Sequence, residues 1–144
     1  MKELIGKLKD RGVVLTPQRI AVIEFLKKSC SHPTVDDIYR AIHKKYPTMS
    51  MATVYSTLEK LKEMGEIQEL SIRSSKACFD SNPRPHHHLL CRECDKIFDI
   101  EVECPIRKKG WLGKYKIEGV QAYFYGLCPD CLKLENNLSD RERG

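Results

Sequence analysis

Apolar residues recur at three- and four-residue intervals through the first 64 positions and at two-residue intervals after them. The chain therefore predicts helices first and strands later. Leu4, Ile5 and Leu8 set a helix over 2–11 that Gly12 ends. Thr16-Pro17 reads as a cap and first position of a second helix, with Ile20, Ile23 and Leu26 on one face, ending near 29–32 before Pro33. Thr34 caps a third helix, where Asp36 and Asp37 face the positive end of the dipole and Ile38, Ala41 and Ile42 face the core. Ser50 caps a fourth, over 51–64, with Val54, Leu58 and Leu61 buried and Gly65 as the C-terminal glycine. Only Pro47-Thr48-Met49 separates the third and fourth helices.

From Ile67 the period is two, predicting a strand over 67–72, a turn at Ser74-Ser75-Lys76 and a returning strand over 77–80. Helices followed by such a hairpin predict a winged helix-turn-helix, with the fourth helix as the candidate for the DNA major groove. Its outward face offers Thr53, Tyr55, Ser56 and Lys60, and Arg19 opens the second helix. Hydroxyls and a cation suit phosphates and base edges, although an ordinary solvated face has the same composition.

Ser81-Asn82-Pro83-Arg84-Pro85 has the composition of a hinge. Further strands are predicted over 96–102, 115–117 and 121–125, with a short helix over 105–113. The expected organisation is a DNA-binding domain over 1–80, a hinge over 81–85, a second domain over 86–135 and a flexible polar tail over 136–144. The expected fold class is α+β, a winged helix-turn-helix followed by a small α/β domain.

Charge adds a weak preference for a polyanionic partner: residues 1–80 carry 14 basic against 10 acidic side chains, residues 81–144 carry 11 against 10. No apolar run is long enough to span a membrane, and Met1 to Gly6 lacks a signal peptide's apolar core, so a cytoplasmic location is expected. Seven cysteines in such a chain point to metal ligands or reactive thiols before disulfides.

Cysteine spacing changes the picture most. Cys91-Arg92-Glu93-Cys94 and Cys128-Pro129-Asp130-Cys131 are two Cys-x-x-Cys turns separated by 33 residues. Two such turns complete a tetrahedral, closed four-sulfur site, which predicts structural Zn2+. A thiol–disulfide enzyme uses one such pair opening a helix, whereas this chain has two. Immediately before the first pair stand His86, His87 and His88; on an extended segment His86 and His88 point one way and His87 the other. With Asp80, Asp99 and the distant His32 they supply a His/Asp donor set suited to Fe2+ or Mn2+, with Zn2+ also accommodated. Spacing alone does not bring these five together, and a histidine such as His32 is by default a turn residue. A zinc hydrolase built on His86 and His88 is the rival from another class, but no His-Glu-x-x-His or comparable motif is present.

The combined motifs are Leu15-Thr16-Pro17-Gln18-Arg19, His32-Pro33-Thr34, Ala52-Thr53-Val54-Tyr55, His86-His87-His88-Leu89-Leu90-Cys91 and Tyr125-Gly126-Leu127-Cys128. In order and spacing, from about residue 4 to 134, they resemble the ferric uptake regulator family. The resemblance implies a homodimeric, metal-dependent DNA-binding repressor of palindromic operators, not an enzyme, with no small organic substrate and no membrane partner. It assigns Cys91, Cys94, Cys128 and Cys131 to structural zinc, His32, Asp80, His86, His88 and Asp99 to a regulatory metal, and Tyr55 to DNA contact. Aspartate at both 80 and 99 is similar to the peroxide-sensing branch, in which bound Fe2+ leads to oxidation of a ligand histidine, matching His32 or His86. Iron- and zinc-uptake regulators of the family are the alternative. Their further site would fall at Pro85, His87, Ile106 and Val120, three of which cannot bind metal. The chain also departs from the family in a short 99–128 segment interrupted by Gly110 and Gly113, in Cys78, which shares the strand face of Asp80 near where zinc-sensing members use a cysteine, and in Cys30 and Cys104, which the motifs leave unassigned.

Overall fold

The computed structural model describes residues 1–142 and divides into two units, Met1–Pro83 and Arg84–Gly144. The first contains α1 (Lys2–Asp10), α2 (Pro17–Lys28), α3 (Val35–His43), α4 (Met51–Glu63), β1 (Gln68–Leu70) and β2 (Cys78–Asp80). Local chemistry sets each helix start. The hydroxyls of Thr16 and Ser50 accept from the N–H groups of Arg19 (3.3 Å) and Thr53 (3.1 Å), and Thr34 and Asp37 form a reciprocal capping box at α3. After α4 the chain turns at Gly65, whose φ of 68° is the left-handed conformation a glycine takes without steric penalty.

The helical stripes meet in one core. Leu4 and Leu8 of α1, Val22, Ile23 and Leu26 of α2, Ile38 and Ile42 of α3, and Val54, Leu58 and Leu61 of α4 are all buried. Phe79 of β2 closes it from the wing. β1 and β2 pair antiparallel with Leu70 opposite Cys78 and Gln68 opposite Asp80. The segment entering α3 adds to this wing: Thr34 bridges Cys78, and the Pro33 carbonyl accepts from Phe79 N–H at 2.9 Å. That pairing carries His32 to the end of β2.

The second unit contains β3 (His87–Cys91), β4 (Ile97–Ile100), α5 (Pro105–Lys109), β5 (Trp111–Leu112), β6 (Tyr115–Lys116), β7 (Tyr123–Gly126) and α6 (Pro129–Glu142). β3 is central in a three-stranded sheet, antiparallel to β4 and parallel to β7. Two expectations are corrected here. The helix expected over 105–113 stops at Lys109, because Gly110 takes a φ of 68°; Trp111 to Lys116 instead forms a hairpin turning at Gly113. The segment expected as a tail from 136 is the second half of α6 through Glu142, and residues 143–144 lie outside the described residues. Among the described residues no helix is long and apolar enough to cross a membrane.

Candidate metal centres and DNA face

The four cysteines converge within the second unit. Their sulfurs lie within 4.8 Å of one another, and the Cys94–Cys128 separation is 3.9 Å. A tetrahedron with Zn–S bonds of ~2.3 Å has edges of about 3.8 Å, so the cluster already has the dimensions of a closed zinc site. Each pair is built by local backbone. After β3 the chain reverses at Asp95 (φ 56°), whose N–H donates to the Cys91 carbonyl at 2.9 Å. Cys128 directly precedes α6, with Pro129 at its first position. Its N–H points at the Cys91 sulfur, 3.4 Å away.

Backbone N–H groups aimed at the Cys91 sulfur, that of Cys94 foremost and then that of Cys128, hold its thiol down at about 6. Cys131 is pushed up to about 12, first by the neighbouring Cys128 sulfur and then by burial. One thiol is thus ready as an anion and another resists ionisation until a cation shares the cluster, the behaviour expected of ligands assembled around Zn2+. With all four positions filled by sulfur, no open position remains for catalysis.

The His/Asp residues form two groups, one in each unit. In the first, His32 and Asp80 are buried, with His32 Nε2 3.9 Å from Asp80 Oδ2. Asp80 Oδ1 accepts from Asn82 N–H at 2.8 Å, which orients the carboxylate and turns its other oxygen toward the imidazole. His32 has a φ of 50°, an uncommon backbone state for a residue with a Cβ and one that concentrates at functional sites.

In the second unit, β3–β4 pairing sets His88 opposite Asp99. His86 and His88 share a face, with ring centroids 4.4 Å apart, and their Nε2 atoms lie 3.4 and 3.6 Å from Asp99 Oδ1. His86 Nδ1 is 2.7 Å from the Arg84 carbonyl. A carbonyl only accepts, so Nδ1 carries a proton, and Nε2 is the ring nitrogen turned toward Asp99 and left to serve as a metal donor. His87 points the other way: it is buried, and its Nδ1 accepts from Ala122 N–H at 3.0 Å, tying β3 to the segment before β7. Cys78 is buried with its sulfur 3.1 Å from the Arg73 guanidinium. Cys30 is exposed, and Cys104, half-buried, precedes α5.

On α4, Tyr55 is 53% exposed, and Ser56 and Lys60 are exposed beside it. Thr53 is half-buried with its hydroxyl 2.9 Å from that of Ser50, and Arg19 donates to the Val14 carbonyl at 2.7 Å. Three partners escaped sequence reasoning: the Arg84 carbonyl, the α6 N-terminus beneath Cys128, and the ion pairs of Lys62 and Lys76. Only the second left a signal, a proline just after the cysteine where a helix can begin.

Comparison with known proteins finds relatives over nearly the whole chain. The chain is 38% identical over 143 residues to the peroxide operon regulator of Bacillus subtilis, covering 95% of this chain and 97% of that one. Among solved structures it superposes on the Campylobacter jejuni peroxide stress regulator with a TM-score of 0.64 at 28% identity, covering 91% and 98% of the two chains. It superposes on the Helicobacter pylori ferric uptake regulator with a TM-score of 0.72 at 23% identity, covering 91% and 90%. The sequence profile of the ferric uptake regulator family matches residues 10–122, and with a winged helix preceding the four-cysteine unit, the chain belongs to that family.

Proposed function

We propose that this chain is a cytoplasmic, homodimeric transcriptional repressor that binds a palindromic operator when metal-loaded and releases it on exposure to peroxide. The observation that carries the reading is the pair of His/Asp groups, each preset by its own unit: His32 with Asp80, and His86 and His88 around Asp99. Imidazoles with carboxylates and no thiolate suit Fe2+ or Mn2+, and the five residues together would hold one such ion across a hinge at 81–85. The curated relatives support peroxide as the signal, since they include a peroxide operon regulator and a peroxide-responsive repressor. Zn2+ in the four-cysteine site would serve structure alone.

The regulatory ion would act through its unequal affinity for two arrangements of the hinge, favouring the one that spaces two α4 helices for half-sites about one DNA turn apart. Bound Fe2+ would supply the chemistry that cleaves the peroxide O–O bond, one oxygen atom being added to a ligand imidazole and the other leaving as water. His32 and His86 are the candidates, because each is a donor whose loss removes the bias. Tyr55, Ser56, Thr53 and Lys60 of α4, with Arg19, would meet DNA. The test is operator binding by fluorescence anisotropy with Mn2+, with Fe2+ and after chelation, followed by peptide mass analysis after peroxide. Metal-dependent affinity and one added oxygen atom on the His32 or His86 peptide of the iron form are expected. Affinity indifferent to chelation would sink the reading, and metal dependence without the oxygen adduct would identify a sensor of metal alone.

A further inference from the structure

Lys60 of the proposed DNA face, and Lys62 and Lys76 near it on α4 and the wing, are all engaged by carboxylates. On α4, Lys60 pairs with Glu63 at 2.8 Å, and Lys62 pairs with Glu59 at 3.1 Å and with Glu69 of β1. In the wing turn, Lys76 pairs with Asp36 of α3 at 2.8 Å. Asp36, Glu59, Glu69 and Lys76 line, together with Tyr55, a cleft of about 290 Å3 in which α3, α4 and the wing meet. The partners hold the ammonium of Lys62 (Glu69 first, then Glu59) and that of Lys76 (Asp36) above the usual lysine range.

These side chains are about one-third to one-half exposed, and pairs of that kind contribute little to stability. Their consequence lies in what approaches the face. A phosphate recruiting Lys62 must displace two carboxylates, and those carboxylates are then left facing the DNA backbone. Non-specific binding draws nearly all its free energy from such lysine–phosphate contacts, whereas contacts to base edges do not need them.

We propose that Asp36, Glu59 and Glu69 are specificity determinants: they withhold Lys62 and Lys76 from phosphate, so that DNA binding depends on base contacts made around Tyr55. This rests on the reading of α4 as the recognition helix.

The test compares wild type, Glu59→Gln/Glu69→Gln and Asp36→Asn, all Mn2+-loaded, on two probes across a salt series. One probe is the duplex that the metal-loaded wild type enriches from a random library, and the other is the same duplex with its sequence shuffled. Circular dichroism establishes that the variants fold. Each phosphate recruited by a freed lysine steepens the salt slope by about 0.9, equivalent to about eightfold tighter binding at 0.1 M relative to 1 M salt. The expected result is that gain on the shuffled duplex with a smaller gain on the enriched one, so that their ratio falls. Equal gains on both duplexes, or none on the shuffled one, overturn the proposal. So does the same gain from Glu103→Gln, which removes one exposed charge from the second unit. Failure of the metal-loaded wild type to enrich any duplex overturns the DNA-binding reading itself.

Discussion

Replacing Cys131 by serine tests what holds the second unit together. Among its described residues the buried apolar side chains are Cys91, Ile97 and Cys128, whereas the first unit buries a cluster of fourteen. Two of those three are ligands of the proposed zinc. Burial of Ile97 is worth about 1.5–3 kcal/mol, while a structural zinc contributes roughly 10–16 kcal/mol in small metal-folded domains. Metal binding therefore outweighs apolar burial in this unit, and losing one sulfur removes more than the remaining packing supplies. Hydrogen exchange read by mass spectrometry, alongside zinc content from native mass, separates the units. Amides of β3, β4 and β7 should lose protection in Cys131→Ser, and those of α2 and α4 should keep theirs. The measurement belongs at two protein concentrations, because Trp111, Leu112, Phe124 and Tyr125 are exposed in the single chain and a dimer interface covering them would add stability. A zinc-free variant that retains wild-type protection in β3 at both concentrations would refute the reasoning.

Four further outcomes are expected. Asp99→Ala removes the carboxylate between His86 and His88, so Mn2+ affinity should fall at least about 100-fold by calorimetry while zinc content stays unchanged; an unchanged Mn2+ isotherm would exclude Asp99 as a ligand. Thr34→Ala should cost about 1 kcal/mol in urea unfolding through loss of the α3 cap. The Thr34 hydroxyl, and then its N–H, hold the Asp37 carboxyl below its ordinary 3.8, so that contribution is complete above the ordinary value and is lost as pH falls through the lower folded one. The wild-type advantage over Asp37→Asn should accordingly be full at pH 7 and shrink in acid, and a pH-independent difference would contradict the assignment. Tyr55→Ala should weaken binding to the enriched duplex about tenfold with little effect on the shuffled one, and equal effects on both would remove Tyr55 from base recognition.

Much of the first unit was legible because its determinants are local. Thr16, Thr34 and Ser50 each precede their helix by one residue, and the apolar spacing marks the faces that pack. The four-cysteine cluster was legible for a related reason: each pair is one turn, and only the meeting of the two turns is long-range. The short hairpin Trp111–Lys116 was not, since Gly110 and Gly113 read as flaws in a helix when one ends it and the other turns a ribbon. α6 was hidden by its polar composition, because most of its described side chains are solvated and leave no deep apolar stripe. The approach of His32 to Asp80 depends on the Pro33–Phe79 hydrogen bond, a contact across 46 positions that no periodicity encodes. The orientation of the His86 ring depends on a backbone carbonyl, which every residue possesses and no sequence distinguishes.

The His86-to-Cys94 segment has a direction of dependence. β3 carries His88 and ends at Cys91, and the turn to Cys94 returns the chain as β4, which bears Asp99. The distance from His88 to Asp99 is thus set by strand pairing, and the pairing is closed at its far end by Cys91 N–H donating to the Lys96 carbonyl at 3.0 Å. A cation in the cysteine cluster fixes that end and ties it to β7 and α6, because Arg92 N–H donates to the Gly126 carbonyl at 2.8 Å and Cys128 opens α6. Nothing runs equally in reverse: His86, His88 and Asp99 lie at the open end, where Asp99 is half exposed and the strands end. Loss of zinc should therefore abolish Mn2+ binding at the His/Asp residues, while loss of Asp99 should leave the zinc cluster intact. A calorimetric Mn2+ titration of Cys131→Ser decides it, and wild-type affinity there would show that the histidines are positioned without the cluster.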